Sequence, residues 1–290
     1  MRVLKPFEYL EPGTVEEAVR LLSSYGDKAK VLAGGVDLIP RMRQRKITPE
    51  YVVNIQQIGA LDYIEGDGAK GLRFGALATL RSVELSPIIQ KDYAVLYEAA
   101  HQITSVQVKT MGTAVGNLCV ATPASDIAVA LFALGAELKI ASTGAERTVP
   151  IENFFIGPGQ TALEPGEMVT EVMLPNPPSG TYGAFLNLVR TAADIAKVNV
   201  AVMITVSGDT CREAKIAIGA VAPTVFRAAK AERTLKDQKL DQGIIRAAAE
   251  ATAEETEPIT DLRSTTEYRK EMTKVLVRQA LEKAIESAKA

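Results

Sequence analysis

Residues 109–126 read Lys-Thr-Met-Gly-Thr-Ala-Val-Gly-Asn-Leu-Cys-Val-Ala-Thr-Pro-Ala-Ser-Asp, and no other segment constrains the chain as much. It carries Gly112 and Gly116, the small polar residues Thr113, Asn117, Thr122 and Ser125, and one carboxylate, Asp126. Glycine lets a backbone approach a ligand closely. Hydroxyl and amide side chains offer hydrogen bonds without charge. Such a stretch is expected to form a loop around a polyhydroxylated, phosphate-bearing ligand rather than a core element. A second glycine pair lies upstream in Val31-Leu32-Ala33-Gly34-Gly35-Val36-Asp37-Leu38. Two glycine-bearing segments predict one extended cofactor held at two points. Neither matches Gly-x-Gly-x-x-Gly, so a Rossmann dinucleotide fold is not indicated.

Residue counts exclude several chemistries. The chain has one histidine, His101, and two cysteines, Cys119 and Cys211. These are too few for a four-ligand zinc site or an iron–sulfur cluster, and no Gly-x-Ser-x-Gly elbow is present. Thirty-three basic residues against 35 acidic ones give a net charge of −2. That balance argues against nucleic acid or an anionic membrane as the main partner. No apolar run approaches the ~18 residues of a membrane span. The N-terminus has no secretory pattern, and a cytoplasmic setting is the default expectation. Chemistry is expected to come from a bound organic cofactor, from partner chains, or from both.

A length of 290 residues favours about two domains at ~150 residues each. Residues 14–26 predict an amphipathic helix with Thr14 as N-cap. Residues 30–33 and 51–55 predict strands flanking the Gly34-Gly35 turn and a short helix at 37–45. Further strands are expected at 61–64, 71–75, 136–141, 147–150, 200–207 and 214–221. Helices are expected at 82–86, 93–100, 127–134 and 268–288. The Pro- and Gly-rich stretch 175–180 marks a domain boundary. Arg41, Arg43, Arg45 and Lys46 read as a solvated basic face.

The ordered set of motifs resembles the FAD-binding medium subunits of molybdenum hydroxylases, the xanthine dehydrogenase and carbon monoxide dehydrogenase family. It comprises Ala33-Gly34-Gly35-Val36-Asp37-Leu38, residues 112–126, Phe154-Phe155-x-Gly157 with Thr161, Phe185, Arg190, Asp194-Ile195-Ala196, Gly219-x-Val221-Ala222-Pro223-Thr224-x-x-Arg227-Ala228, and Tyr268-Arg269. The resemblance covers nearly the whole chain. It implies an α+β fold: a two-lobed FAD-binding domain of the p-cresol methylhydroxylase type at 1–177, with subdomains at about 1–57 and 58–177. A smaller C-terminal α+β domain of the CO dehydrogenase flavoprotein type follows at 178–290.

The resemblance also assigns roles. Val31, Leu32, Ala33, Gly34, Gly35, Val36, Asp37 and Leu38, with Gly112, Thr113, Ala114, Val115, Gly116 and Asn117, would hold the FAD diphosphate. Asp126 would bind a cofactor hydroxyl and Val169 would pack near the ring system. Arg190 and Asp194 would lie beside the isoalloxazine and its acceptor. No catalytic residue and no metal ligand is expected. The implied function is electron transfer from a [2Fe–2S] small subunit through FAD to NAD or another acceptor. A molybdenum-cofactor large subunit would oxidise the substrate, and the implied assembly is a dimer of heterotrimers. Two departures stand out: Val115-Gly116 replaces the family's Gly-Gly, and Leu186 stands where xanthine dehydrogenases often carry a flavin-contacting lysine. Two alternatives remain open, a free-standing FAD-dependent oxidase or reductase and a flavin-free assembly subunit. Val115 is the feature favouring the latter.

Overall fold

The computed structural model describes residues 3–68 and 71–289. The chain begins with a small parallel sheet in which strand Tyr51–Asn54 lies between Glu8–Leu10 and Ala29–Leu32. Helix Val15–Tyr25 covers it. Thr14 caps this helix by accepting from the Glu17 amide, and Ala18, Val19 and Leu22 form its buried stripe. The spacing of those residues places them on one helical face, as the sequence pattern requires.

A five-stranded antiparallel sheet follows, ordered Ile64–Asp67, Gly71–Gly75, Met168–Leu174, Glu137–Ser142, Ala145–Pro150. Its central strand, Met168–Leu174, was not anticipated from sequence. The apolar helix Asp126–Leu134 has every residue from Ile127 to Leu134 buried. Each large side chain there contributes roughly 1.5–3 kcal/mol on burial. That uniform burial explains why no amphipathic period is visible in it.

After the Pro- and Gly-rich stretch comes a four-stranded antiparallel sheet: Thr181–Leu188, Val198–Ser207, Thr210–Gly219 and Phe226–Arg227. Strand Thr181–Leu188 also escaped the sequence reading, because its half-buried pattern alternates weakly. Helix Thr266–Lys289 packs on this sheet, helix Gln242–Glu254 packs against that helix, and both contribute to a second core. Phe185, Ala201 and Ala217 of this sheet belong instead to the first core. The two halves are also tied by Glu98 in helix Ala94–Gln102. Its carboxylate accepts from the Phe185 amide at 2.8 Å and from Lys283 Nζ at 2.6 Å.

Candidate cofactor site

The first glycine segment follows strand Ala29–Leu32 and enters the short helix Leu38–Arg43. Gly35 uses a left-handed backbone at φ +69°, as does Ala121 in the second segment at φ +50°. Gly34 matters for a different reason. A Cβ there would lie 1.9 Å from the Met111 carbonyl oxygen and 2.9 Å from Gly112 Cα. Its bare backbone therefore lets the first segment pack directly on the second.

The second segment differs from the expected loop. It forms two short helices, Val106–Met111 and Ala114–Cys119, joined at Gly112-Thr113 and followed by a turn into helix Asp126–Leu134. Thr113 caps the middle helix, its hydroxyl accepting from the Gly116 amide at 2.9 Å. The Leu80 amide donates to the Gly112 carbonyl at 2.8 Å, and the Ala114 amide donates to the Ala78 carbonyl at 3.0 Å. Ser125 donates to Asn117 Oδ1, closing the turn. Small polar residues thus cap helices here, a role that composition alone does not distinguish from loop formation. Val115 faces the core and is 4% exposed. Its Cβ does not narrow the approach to the segment, which removes the one feature that favoured a flavin-free subunit.

Between the segments lies an open cleft of about 610 Å³, lined by Gly34, Gln56, Asp62, Thr79, Thr110 and Thr113 among others. Among the described residues, the amides of Gly34, Gly35, Val36 and Asp37 meet no protein acceptor. Consecutive unpaired amides beside threonine hydroxyls suit an anion such as a diphosphate. No lysine or arginine lines the cleft among the described residues. Arg41 turns instead to Asp37 at 3.4 Å. The residues therefore fit the diphosphate of FAD through backbone donors rather than through countercharge.

Below the cleft, a buried charge cluster fixes helix Val106–Met111. Glu84 accepts from Lys109 at 2.7 Å, and both side chains are about nineteen-twentieths buried. Arg81 and the exposed His101 meet the same carboxylate. Burial pushes the Glu84 carboxyl up, but the hydrogen bonds from Lys109, Arg81 and His101 outweigh it and hold it below 4.5. Removing one partner of such a pair costs about 3–5 kcal/mol. Glu84→Gln is expected to lose that much stability in urea unfolding at pH 7. The wild-type contribution is present above pH 4.5 and disappears as pH falls through the lowered value. An unchanged unfolding midpoint would refute the role of the cluster.

The remaining predicted residues lie elsewhere. Asp126, at the start of its helix, accepts from Asn187 Nδ2 at 3.2 Å and Asn199 Nδ2 at 2.7 Å. Burial pushes its carboxyl up to about 6 against these two amides, which pull it down. Val169 sits in the sheet at 3% exposure and does not line the cleft. Arg190 and Asp194 pair with each other at 3.1 Å in the connection between strands Thr181–Leu188 and Val198–Ser207. Thr104 holds that connection by donating to the Ala192 carbonyl at 3.0 Å. The structure does not bring this pair to the cleft. Sequence reasoning missed Gln56, whose amide donates to the Ala33 carbonyl at 2.6 Å, and Asn187 and Asn199. A buried polar residue within the Val198–Ser207 strand was the one signal available for Asn199. Among the described residues, no group of three or more His, Cys, Asp or Glu side chains is placed to hold a metal ion. No helix among them is long and apolar enough to cross a membrane.

Comparison with known proteins bears on the same regions. Residues 5–177 match the family described as FAD binding domain in molybdopterin dehydrogenase, and residues 183–284 match the CO dehydrogenase flavoprotein C-terminal domain. The chain is 34% identical to the carbon monoxide dehydrogenase medium chain of Afipia carboxidovorans, with 98% of each chain covered. It is 31% identical to the glyceraldehyde dehydrogenase medium chain of Sulfolobus acidocaldarius, over 94% of this chain and 96% of that one. A solved carbon monoxide dehydrogenase from Hydrogenophaga pseudoflava contains a chain similar at a TM-score of 0.94 and 35% identity, with 97% of this chain and 98% of that chain covered. The mixed α+β architecture, the cleft and these matches agree: the chain belongs to the FAD-binding medium subunits of the molybdenum hydroxylase family and is an FAD-dependent oxidoreductase subunit.

Proposed function

We propose that this chain carries electrons from a [2Fe–2S] small subunit to NAD or another acceptor, beside a molybdenum-cofactor large subunit in a dimer of heterotrimers. The row of open amides at Gly34–Asp37, seated on residues 110–113, carries the reading. FAD supplies the chemistry, since a flavin exchanges electrons singly or in pairs. The chain's own residues bind and orient. Residues 31–38 and 112–117 hold the diphosphate, and Asp126 accepts from a cofactor hydroxyl. Val169 packs towards the ring system, and the pair of exposed Arg190 and half-buried Asp194 faces the acceptor side. A domain division at 177/178 is part of this reading, supported by a first matched region that ends at 177 and a second that begins at 183.

The cleft supports a binding role over independent catalysis. Asp62 is the one charged residue lining it among the described residues, and that residue is exposed. The names of the relatives mark them as medium chains or FAD-binding subunits of larger enzymes. Asp194→Lys is expected to slow flavin reduction or reoxidation at least several-fold in the assembled complex, with FAD content unchanged. Stopped-flow absorbance measures both. Substrate turnover by the chain alone would overturn the assignment and establish a free-standing oxidase or reductase.

A further inference from the structure

The carboxylate of Asp126 is gripped from the C-terminal sheet. Asn187 and Asn199 are direct cross-strand partners. One reaches Asp126 Oδ2 at 3.2 Å and the other reaches Oδ1 at 2.7 Å. The second N–H direction of Asn199 points to the Ala124 carbonyl at 3.3 Å. This fixes the amide's orientation, because a flipped group would set its oxygen against two other oxygens. The consequence is a buried Asn199 Oδ1 with no partner, on a side chain that is fully buried.

An unpaired buried acceptor is unfavourable, and an apolar residue of similar shape would serve a purely adhesive interface better. Space is even made for this amide. Gly219 lies opposite Asn199, and a Cβ there would stand 2.3 Å from Oδ1. The surrounding turn is held on further sides. The Ala220 amide donates to the Pro123 carbonyl at 2.7 Å, and the Gly159 amide donates to the Ala121 carbonyl at 2.9 Å. Arg269, 4% exposed, donates to the Ala220 carbonyl at 2.7 Å and the Lys197 carbonyl at 2.8 Å. A carboxylate has about four acceptor positions. The asparagines occupy two, one on each oxygen, and leave the others for a hydroxyl donor.

We propose that Asn187 and Asn199 are positioning residues for the cofactor: they orient the Asp126 carboxylate so that its remaining lone pairs meet a sugar-type hydroxyl of FAD, making cofactor affinity a property of both domains. This rests on the assignment of Asp126 to the cofactor.

The test uses the full chain, stripped of flavin and titrated with FAD. Flavin fluorescence gives Kd, the visible band shape reports the ring's surroundings, and thermal unfolding reports the interdomain tie. Asn187→Ala and Asn199→Ala are each expected to raise Kd by about ten-fold, the scale of losing a hydrogen bond to a charged group. Asp126→Asn should do at least as much. Asp126→Asn combined with Asn187→Asp moves the charge to the other end of the same hydrogen bond. That variant should recover the melting temperature lost in Asp126→Asn but not the affinity. Wild-type affinity in both asparagine variants, with weak binding in Asp126→Asn, would overturn the positioning role alone. Wild-type affinity in Asp126→Asn would remove the assignment of Asp126 and the proposal with it. Recovery of affinity together with melting temperature in the swapped variant would show a structural tie only and also overturn it.

Discussion

Gly34→Ala is expected to raise the Kd for FAD at least a hundred-fold while leaving far-UV circular dichroism close to wild type. A single methyl suffices, because its carbon would lie 1.9 Å from the Met111 carbonyl oxygen and 2.7 Å from its carbon. Backbone atoms on both sides make the clash hard to relieve by a side-chain rotation. The segments must separate, and the amides of Gly34–Asp37 then no longer share a cleft with Thr110 and Thr113. Anion binding by oriented amides depends on such geometry. The effect should be local, since the atoms nearest the clash, those of Met111 and Gly112, all belong to the second segment. Apoprotein titrated by fluorescence gives the answer, and a Gly34→Ala variant with unaltered affinity would show that the cleft is not the diphosphate seat.

Asp126 should make FAD affinity pH-dependent. Burial raises its carboxyl from an ordinary 3.8 to about 6, and the amides of Asn199 and Asn187 offset part of that. The native chain therefore binds this proton more tightly than the unfolded chain. Stability should fall as pH rises from about 4 to about 6 and level off above, by no more than about 3 kcal/mol. FAD binding has the opposite sense. A hydroxyl donor needs the ionised carboxylate, so affinity should fall as pH drops below about 6, approaching ten-fold per unit. Asp126→Asn should flatten both profiles. Calorimetric titration across pH 5–8 gives the affinity, and urea unfolding over pH 4–7 gives the stability. An affinity independent of pH in the wild type would contradict the role of this carboxylate.

The sequence conveyed much of this molecule because its strongest signals are local. Thr14 caps where the pattern puts the cap. Gly34-Gly35 sits at a strand end, as the reading placed it. The failures share a physical cause, which is that pairing between distant residues leaves little local trace. Met168–Leu174 is central in its sheet and almost wholly buried, so it shows no alternation. That Gly34 must also clear Met111, far along the chain, left no local trace. Thr113 and Ser125 were read as loop polarity and turned out to be helix caps. Asn187 and Asn199 are invisible one at a time, and their meaning appears only when strand pairing sets both against Asp126.

The seam between the halves has a consequence for how the protein is made. A ribosome releases both glycine segments early. The amides that grip Asp126 arrive later, and Arg269 and Lys283, which secure Ala220 and Glu98, emerge after them. Domains fold in order of their emergence, but the first core takes Phe185, Ala201 and Ala217 from the later sheet, so it closes only once the strands that carry Asn187 and Asn199 have been made. On the proposed roles, a chain cut before residue 266 would carry both glycine segments but lack the Arg269 and Lys283 bonds that secure the seam.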